Sequence, residues 1–275
     1  MTDERTFDRL LAERVQSIPW YHTLDLGHGV VTSGFFDLRG LPAKLPIPPS
    51  LAGQRCLDVA SADGFFAFEM ARRGGDVVSF DLPDTTKQDW QGPPGENDER
   101  RQSTGRARQA FEIARDALGL DVERVDGSVY DLSPELVGSF DFVFMGNILI
   151  HLSDPLRAMR AVRSVTRGTL LSYDSISLPM TVLRPITPAG QLWDTDDARW
   201  WTPNRAAHKR LVEAGGFSVL RQGRPLLMPL GAMHPRWPEK IPRRPRMMGY
   251  WLFIRQFGVA TNWVLAQPRE LDGAG

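Results

Sequence analysis

Cysteine is almost missing from this chain: Cys56 stands alone among 275 residues. A single thiol excludes an intramolecular disulfide and any multi-cysteine zinc or iron–sulfur centre, and it fits a reducing compartment. No sign of charge prevails either. Lys+Arg and Asp+Glu are 33 each, so the total lacks the basic surplus with which proteins hold phosphate backbones. Lysine occurs only at Lys44, Lys87, Lys209 and Lys240, which reads as genome composition. No apolar run approaches the ~20 residues that cross a bilayer. The opening MTDERTFDRLLAER is charged and has no apolar core, so no secretory leader is expected and the expected location is the cytoplasm. What is present is 42% hydrophobic and 24% charged, which at this length suffices for a core without covalent staples.

Phe7, Leu10, Leu11 and Val15 recur at helical spacing, so a helix is expected over 3–16. IPWYHTLDLGHGVVTSGFFDLR, residues 18–39, has no clean period and reads as a surface hairpin or cap. Pro42, Pro46, Pro48 and Pro49 then read as a linker. Regular alternation begins at Arg55. RCLDVA, DVVSFDL, VERVDGS, FDFVFMGNIL, TLLSYD, SVLRQG and NWVLAQP are strand candidates, mostly strongly apolar as in a buried parallel sheet. Between them FFAFEMARRG, ARQAFEIARDALG, DPLRAMRAVRSVTRG and NRAAHKRLVEAGGF carry helical periodicity and glycine stops. Residues 84–106 are polar with Gly and Pro and read as a mobile insertion. Strands alternating with helices imply right-handed βαβ units and a mostly parallel seven-stranded sheet with helices on both faces. Ligands of such sheets bind beyond the carboxyl ends of the strands.

Those ends carry the chemistry. The first strand runs into Asp58-Val59-Ala60-Ser61-Ala62-Asp63-Gly64, small residues that let a backbone turn tightly and a ligand approach. The second ends in Asp81, 23 residues after Asp58, where a carboxylate can accept hydrogen bonds from both ribose hydroxyls. The third ends in Asp126-Gly127-Ser128-Val129-Tyr130, a wall for an adenine. G-x-G-x-x-G is absent, which speaks against a nicotinamide dinucleotide.

LDVASADGFFAFEMARRGG followed by VVSFDL resembles the first two motifs of class I methyltransferases that use S-adenosylmethionine. The later VYDLSPELVGSFDFVFMGNILIHLSDPLRAMRAVRSVTRGTLLSYD is similar to the middle of that Rossmann-like fold. GNILIHLSDP, WWTPNRAAHKRLVEAGGF and the early WYHTLDLGHGVVTSGFFDLR resemble a narrower bacterial group, which includes the tRNA wobble-uridine carboxymethyltransferase and many small-molecule methyltransferases. The resemblance covers about residues 18–267. It implies an N-terminal helix and cap over 1–50 and a methyltransferase domain over 51–268, with insertions near 84–106 and 224–257. It places Asp58, Ala60, Asp63 and Gly64 around the methionine and ribose, and Asp81 on the ribose with Leu82 beside the adenine. Ser128, Val129 and Tyr130 would flank the ring, with Gly146 and Asn147 next to the sulfonium and Tyr21 also at the cofactor. The family turn reads G-x-G-x-G; here Ala60 and Ala62 replace its first two glycines, and alanine disfavours positive φ.

His151, after the fourth strand, falls where the family faces its methyl acceptor, and a histidine can take a proton from a hydroxyl near neutral pH. His22 is a second candidate base, from the N-terminal segment, and Asp174 ends the fifth strand where it can orient the acceptor. His28, His208 and His234 read as surface residues. His151 and Asp174 are too few for a metal site, and no metal is expected. Trp20, Arg184, Trp200, Trp201 and Asn204 are candidate acceptor contacts. The stretch 224–257, with Met228, Met233, Met247, Met248 and the basic PRRPR at 242–246, reads as a substrate lid, a packed subdomain or a dimer face.

The resulting reading is a methyltransferase acting on a small molecule, most simply at oxygen, with S-adenosylmethionine as cofactor, no nucleic-acid or membrane partner, and a homodimer as the assembly to consider. The alternatives are a tRNA wobble-uridine alkyltransferase and a non-catalytic nucleoside-binding or scaffold protein. In the wobble-uridine enzymes basic side chains hold a carboxylated cofactor. Here the matching stretches read His151-Leu152-Ser153-Asp154 and Ala260-Thr261-Asn262-Trp263, without arginine.

Overall fold

A computed structural model describes residues 2–84, 88, 89, 91, 107–193, 199–234 and 257–270, leaving aside the side chains of residues 2–7. The insertion at 84–106 falls almost wholly outside these residues. So do Met247, Met248 and the PRRPR stretch.

The centre is one sheet in which β10 (Phe217–Gln222), β12 (Val259–Pro268), β7 (Thr166–Ser175), β6 (Phe140–Gly146), β3 (Arg55–Val59), β4 (Asp76–Asp81) and β5 (Val122–Asp126) lie side by side in that order, with β11 (Leu226–Met228) paired to β12 as an eighth strand, while β8 (Gly190–Leu192) and β9 (Trp201–Pro203) pair apart from it. Strands β3, β4, β5, β6 and β7 run parallel. β12 is antiparallel to both β7 and β10. The chain winds outward in two directions from β3, so the carboxyl ends of β3 and β6 open side by side at the point where the winding reverses.

Alternation along the strands builds two cores. Cys56, Val77, Phe142, Phe144, Leu171 and Tyr173 face a layer containing α2 (Phe65–Arg72) and α3 (Ala107–Leu118). Leu57, Val59, Val78, Phe80, Val143 and Met145 face α5 (Pro155–Val165) and α7 (Arg205–Ala214), with the short α4 (Pro134–Val137) beside them. Helix ends are where the sequence signals place them. Asp154 caps α5 by accepting the Arg157 N–H at 2.9 Å, with Pro155 in the first turn.

The N-terminal segment belongs to the first of these cores. After α1 (Thr2–Gln16), Trp20, Leu24, Leu26, Leu38, Leu41, Leu45 and Ile47 are buried in the same cluster as Phe66 and Phe144. The prolines at 42–49 therefore bring apolar side chains onto the core. β1 (Trp20–His22) and β2 (Gly34–Phe36) pair in parallel, and between them the chain turns back on itself as a tight antiparallel hairpin, with Asp25 bridged to Val31, the Leu26 N–H donating to the Val30 carbonyl at 3.0 Å and the Thr32 N–H to the Leu24 carbonyl at 2.9 Å. Gly34 permits the close crossing: a Cβ there would lie 2.2 Å from the His22 carbonyl carbon.

His208 corrects another expectation. It is buried on α7, not exposed. Its Nε2 lies 2.9 Å from Ser172 Oγ and its Nδ1 2.8 Å from Asn262 Oδ1, tying the helix to β7 and β12. Charged neighbours in sequence, Lys209 and Arg210, disguise an inward position. Burial pushes its pKa down from 6.5 to about 4. Between these values the unfolded chain holds a proton that the folded one lacks, so this contribution is lost as pH falls from about 6.5 to about 4 and is worth about 3 kcal/mol. Urea unfolding of wild type and His208→Gln across that range should show the wild type losing stability relative to the variant. Parallel curves would contradict the burial of a neutral imidazole.

Candidate active site

The turn after β3 keeps the shape of a glycine-rich loop with two alanines in it. Ala60 and Ala62 sit at φ 61° and 51°, and Gly64 at 89°. At Gly64 a Cβ would meet the Phe111 and Phe68 rings at 2.6 Å, so packing as well as φ demands glycine at the start of α2. The alanines carry left-handed strain of ~1 kcal/mol each. Ala60→Gly and Ala62→Gly should therefore each raise stability by about 0.5–1 kcal/mol, whereas the same change at an ordinary φ lowers it. Urea unfolding midpoints check this, and a fall in both would contradict the turn.

Three acids surround the turn, Asp58 and Asp63 buried and Asp81 half-buried. Asp63, fully buried, holds the cap. Its Oδ2 accepts the N–H groups of Tyr21 and His22 at 2.9 and 2.8 Å, and its Oδ1 lies 2.5 Å from His22 Nδ1. Asp81, ending β4, accepts the Ala62 N–H at 2.6 Å and the Leu82 N–H at 2.7 Å; burial raises its pKa, and the nearby Arg124 guanidinium opposes the rise. Arg124, unnoticed in the sequence, donates to the carbonyls of Ala62 and Leu82 and pairs with Asp126, binding three strand-end loops together. Asp58 is buried, and its Oδ2 has no hydrogen-bond partner among the described residues. Burial, with the charges of Asp81 and Asp63 adding to it, pushes the Asp58 carboxyl well above the usual carboxylate range.

Beyond β6, Asn147 adopts φ 53°, a conformation asparagine tolerates. It donates its N–H to the Tyr173 carbonyl at 2.6 Å and accepts the Ser175 hydroxyl at 2.5 Å on Oδ1. Its side chain also hydrogen-bonds Tyr21, whose phenol burial pushes up to about 12. The turn Leu149–His151 follows. Trp201 Nε1 donates to the Leu149 carbonyl at 3.0 Å, the Trp200 N–H to that of Ile150 at 2.8 Å, and Trp200 Nε1 to the Asp89 carbonyl at 2.6 Å. Asp89 in turn accepts the Tyr130 hydroxyl at 2.7 Å and the Ser153 N–H at 2.6 Å.

These strand ends open into a cavity of about 560 Å³. Of the residues singled out in the sequence, Trp20, Tyr21, His22, Asp58, Ala60, Asp63, Asp81, Leu82, Ser128, Val129, Tyr130, Gly146, Asn147 and His151 all line it. The others do not, each for a physical reason. Gly64 lies behind the turn, against phenylalanine rings. Asp174 is fully buried, and its carboxylate accepts the backbone N–H groups of Leu149 and Ser175 at 2.8 Å each. Trp201 braces the 149–151 turn with its indole N–H and Trp200 with its backbone N–H, while the Trp200 indole is spent on the Asp89 carbonyl. Arg184 is exposed outside the cavity, at the end of α6 (Leu178–Leu183). Asn204 is buried as the cap of α7, donating to the carbonyls of Arg184 and Thr187 at 2.9 Å and accepting the Ala207 N–H at 2.8 Å. The lining also takes in Phe66, Phe144 and Tyr173 from the helix and strands of the core, Phe35 and Leu38 from the cap segment, and Met228 from the start of the 224–257 stretch.

Residues 57–169 match the family model described as a methyltransferase domain. In structure the chain is similar to the N-terminal domain of EvdMO1 solved in the presence of SAH and D-fucose, at 15% identity over 98% of both chains, with a TM-score of 0.52. It is also similar to a chain from the complex of the Haloferax volcanii Trm112 methyltransferase activator with a methyltransferase, at 14% identity over 84% of this chain and 87% of that one, with a TM-score of 0.50. At such identities the likeness is one of fold. No curated protein matches the sequence. Fold and domain match agree on the class: residues 57–169 form a methyltransferase domain, built on the class I fold shared with a domain solved with SAH. No helix among the described residues is long and apolar enough to cross a membrane, and among them no cluster of His, Cys, Asp or Glu is arranged to hold a metal ion.

Proposed function

We propose that this protein is an S-adenosylmethionine-dependent methyltransferase and methylates a small molecule at a hydroxyl oxygen. The observation that carries the reading is the cavity itself. It is a concave chamber roofed by the β1–β2 cap, its volume falls in the range of small-molecule sites, and its described lining forms no broad basic groove. Among its described lining residues the one basic side chain besides histidine is Arg108, already engaged with Glu112 and Asp126.

The donor set fits the cofactor. The unpartnered Asp58 Oδ2 is a buried acceptor suited to the α-ammonium of the methionine portion, which would restore its ionised form. Asp81, held rigid by two backbone N–H groups, has lone pairs left for ribose hydroxyls. Leu82, Ser128, Val129 and Tyr130 would enclose the adenine, and Gly146 and Asn147 would lie at the transferring group. When bound, the cofactor supplies an electrophilic methyl on a sulfonium. The protein's part is to hold the acceptor in line, exclude water, and receive the hydroxyl proton on a histidine of the wall, His22 or His151. Incubation with methyl-labelled cofactor, a panel of small hydroxyl compounds and bulk tRNA tests this. Label is expected in the small-molecule fraction, and label in the tRNA would contradict the reading.

A further inference from the structure

The two histidines of the wall are not equivalent. His22 is tied to a fully buried carboxylate 41 residues away: Nδ1 lies 2.5 Å from Asp63 Oδ1, while the other oxygen of Asp63 is occupied by the Tyr21 and His22 N–H groups. Three donors on one carboxylate fix its orientation, and the carboxylate fixes the ring. With Nδ1–H given to Asp63, a proton from the cavity can go only to Nε2. Phe65 and Tyr21 pack on the imidazole, with ring centroids 5.6 and 4.8 Å away, and limit its rotation.

The sheet order sorts the rest of the cavity. Asp81 and residues 127–130 lie at the β4–β5 flank, whereas Tyr173 on β7 and Met228 on β11 lie at the other, with the ends of β3 and β6 between them. The cap joins this second flank. The Gly231 N–H donates to the Phe35 carbonyl at 2.7 Å and the Asp37 N–H to the Pro229 carbonyl at 3.2 Å. Trp20, Phe35, Leu38, Phe66, Tyr173 and Met228 thus enclose the end left for the acceptor, and none is basic. An anionic acceptor there would find no basic side chain among the described residues of this end to compensate it. Flat aromatic walls favour a ring.

We propose that His22, oriented by Asp63, is the base that takes the proton of an uncharged, ring-bearing hydroxyl compound held at this apolar end. The proposal rests on the hydroxyl-methylation reading and adds the acceptor's class and the atom that receives its proton. As the O–H proton passes to His22 Nε2, the oxygen bonds to the methyl carbon. The carbon–sulfur bond breaks with its electron pair left on sulfur, and the imidazolium then releases its proton to water.

Two measurements test it together. In unliganded protein labelled with ¹⁵N-histidine, NMR should report His22 with its proton on Nδ1. With S-adenosylmethionine and para-substituted phenols at mildly alkaline pH, His22→Gln should lose ~10²-fold or more in turnover on 4-methoxyphenol, which must be deprotonated, but less than ~5-fold on the largely ionised 4-nitrophenol. S-adenosylhomocysteine affinity of the variant, by calorimetry, should stay within ~2-fold of wild type, as for a residue that acts on the acceptor. Equal losses on both phenols would make His22 a structural residue and overturn the proposal, as would full activity on both or a proton on Nε2. Wild type that methylates amines or thiols but no phenol would overturn the hydroxyl reading itself, and the acceptor class with it.

Discussion

Asp174→Ala is expected to cost about 3 kcal/mol or more of folding stability and to abolish most methyl transfer, although Asp174 does not line the cavity. Its carboxylate sits at the end of β7 and accepts the N–H groups of Leu149 and Ser175, with those of Ile148 and Ile150 also bonded to it. Alanine would leave these buried donors without acceptors, and each such orphan costs roughly 1–3 kcal/mol. The turn they belong to carries His151 and follows directly on Asn147, so the loss reaches the transfer point. Burial pushes the Asp174 carboxyl up to about 7. Below that value the folded state keeps a proton that the unfolded carboxyl has released, so this group's contribution fades as pH rises from about 4 to 7, opposite in direction to that of His208. Chemical unfolding and a transfer assay at one pH check the main effect. A variant as stable as wild type would show that the donors find other acceptors.

Asp81→Ala should weaken S-adenosylmethionine binding by about 3 kcal/mol, or roughly 10²-fold, the worth of two charge-assisted hydrogen bonds to a ribose. Two backbone N–H groups and the Arg124 guanidinium nearby hold this carboxylate in place. Asp81→Asn keeps the shape and one acceptor oxygen and should lose less. Calorimetric titration of all three proteins decides it, and unchanged affinity in the alanine variant would remove Asp81 from the cofactor site.

The βα units were legible because their signals are local. An apolar run, a small-residue turn and an amphipathic helix lie within about thirty residues of one another, and the acids at the strand ends follow from chain order alone. What was not legible depends on which way a side chain faces. Asp174 and Asn204 looked like site residues because polar groups near strand ends usually are, but both are spent on backbone groups inside the fold. Trp200 and Trp201 looked like acceptor contacts, yet the Trp201 indole and the Trp200 backbone N–H brace the turn that presents His151, and the Trp200 indole is spent on the Asp89 carbonyl. The His22–Asp63 pair was hidden for another reason. Each residue was a candidate separately, but 41 residues of chain separate them, and nothing in the spacing says that the cap closes on that carboxylate.

The most direct measurement is mass spectrometry of the cofactor that co-purifies with the protein. Neither basic position of the wobble-uridine pattern is filled here, and the substitutes are elsewhere. Arg184 and Lys44 are exposed outside the cavity, and the Arg199 guanidinium lies 3.7 Å over the Trp193 ring. Among the described lining residues a buried extra carboxylate would therefore meet aspartates, with Arg108, already engaged with Glu112 and Asp126, as the one guanidinium. S-adenosylmethionine, or S-adenosylhomocysteine left by turnover, should be recovered. Recovery of mainly the carboxylated cofactor would contradict methyl transfer and return the tRNA reading to first place.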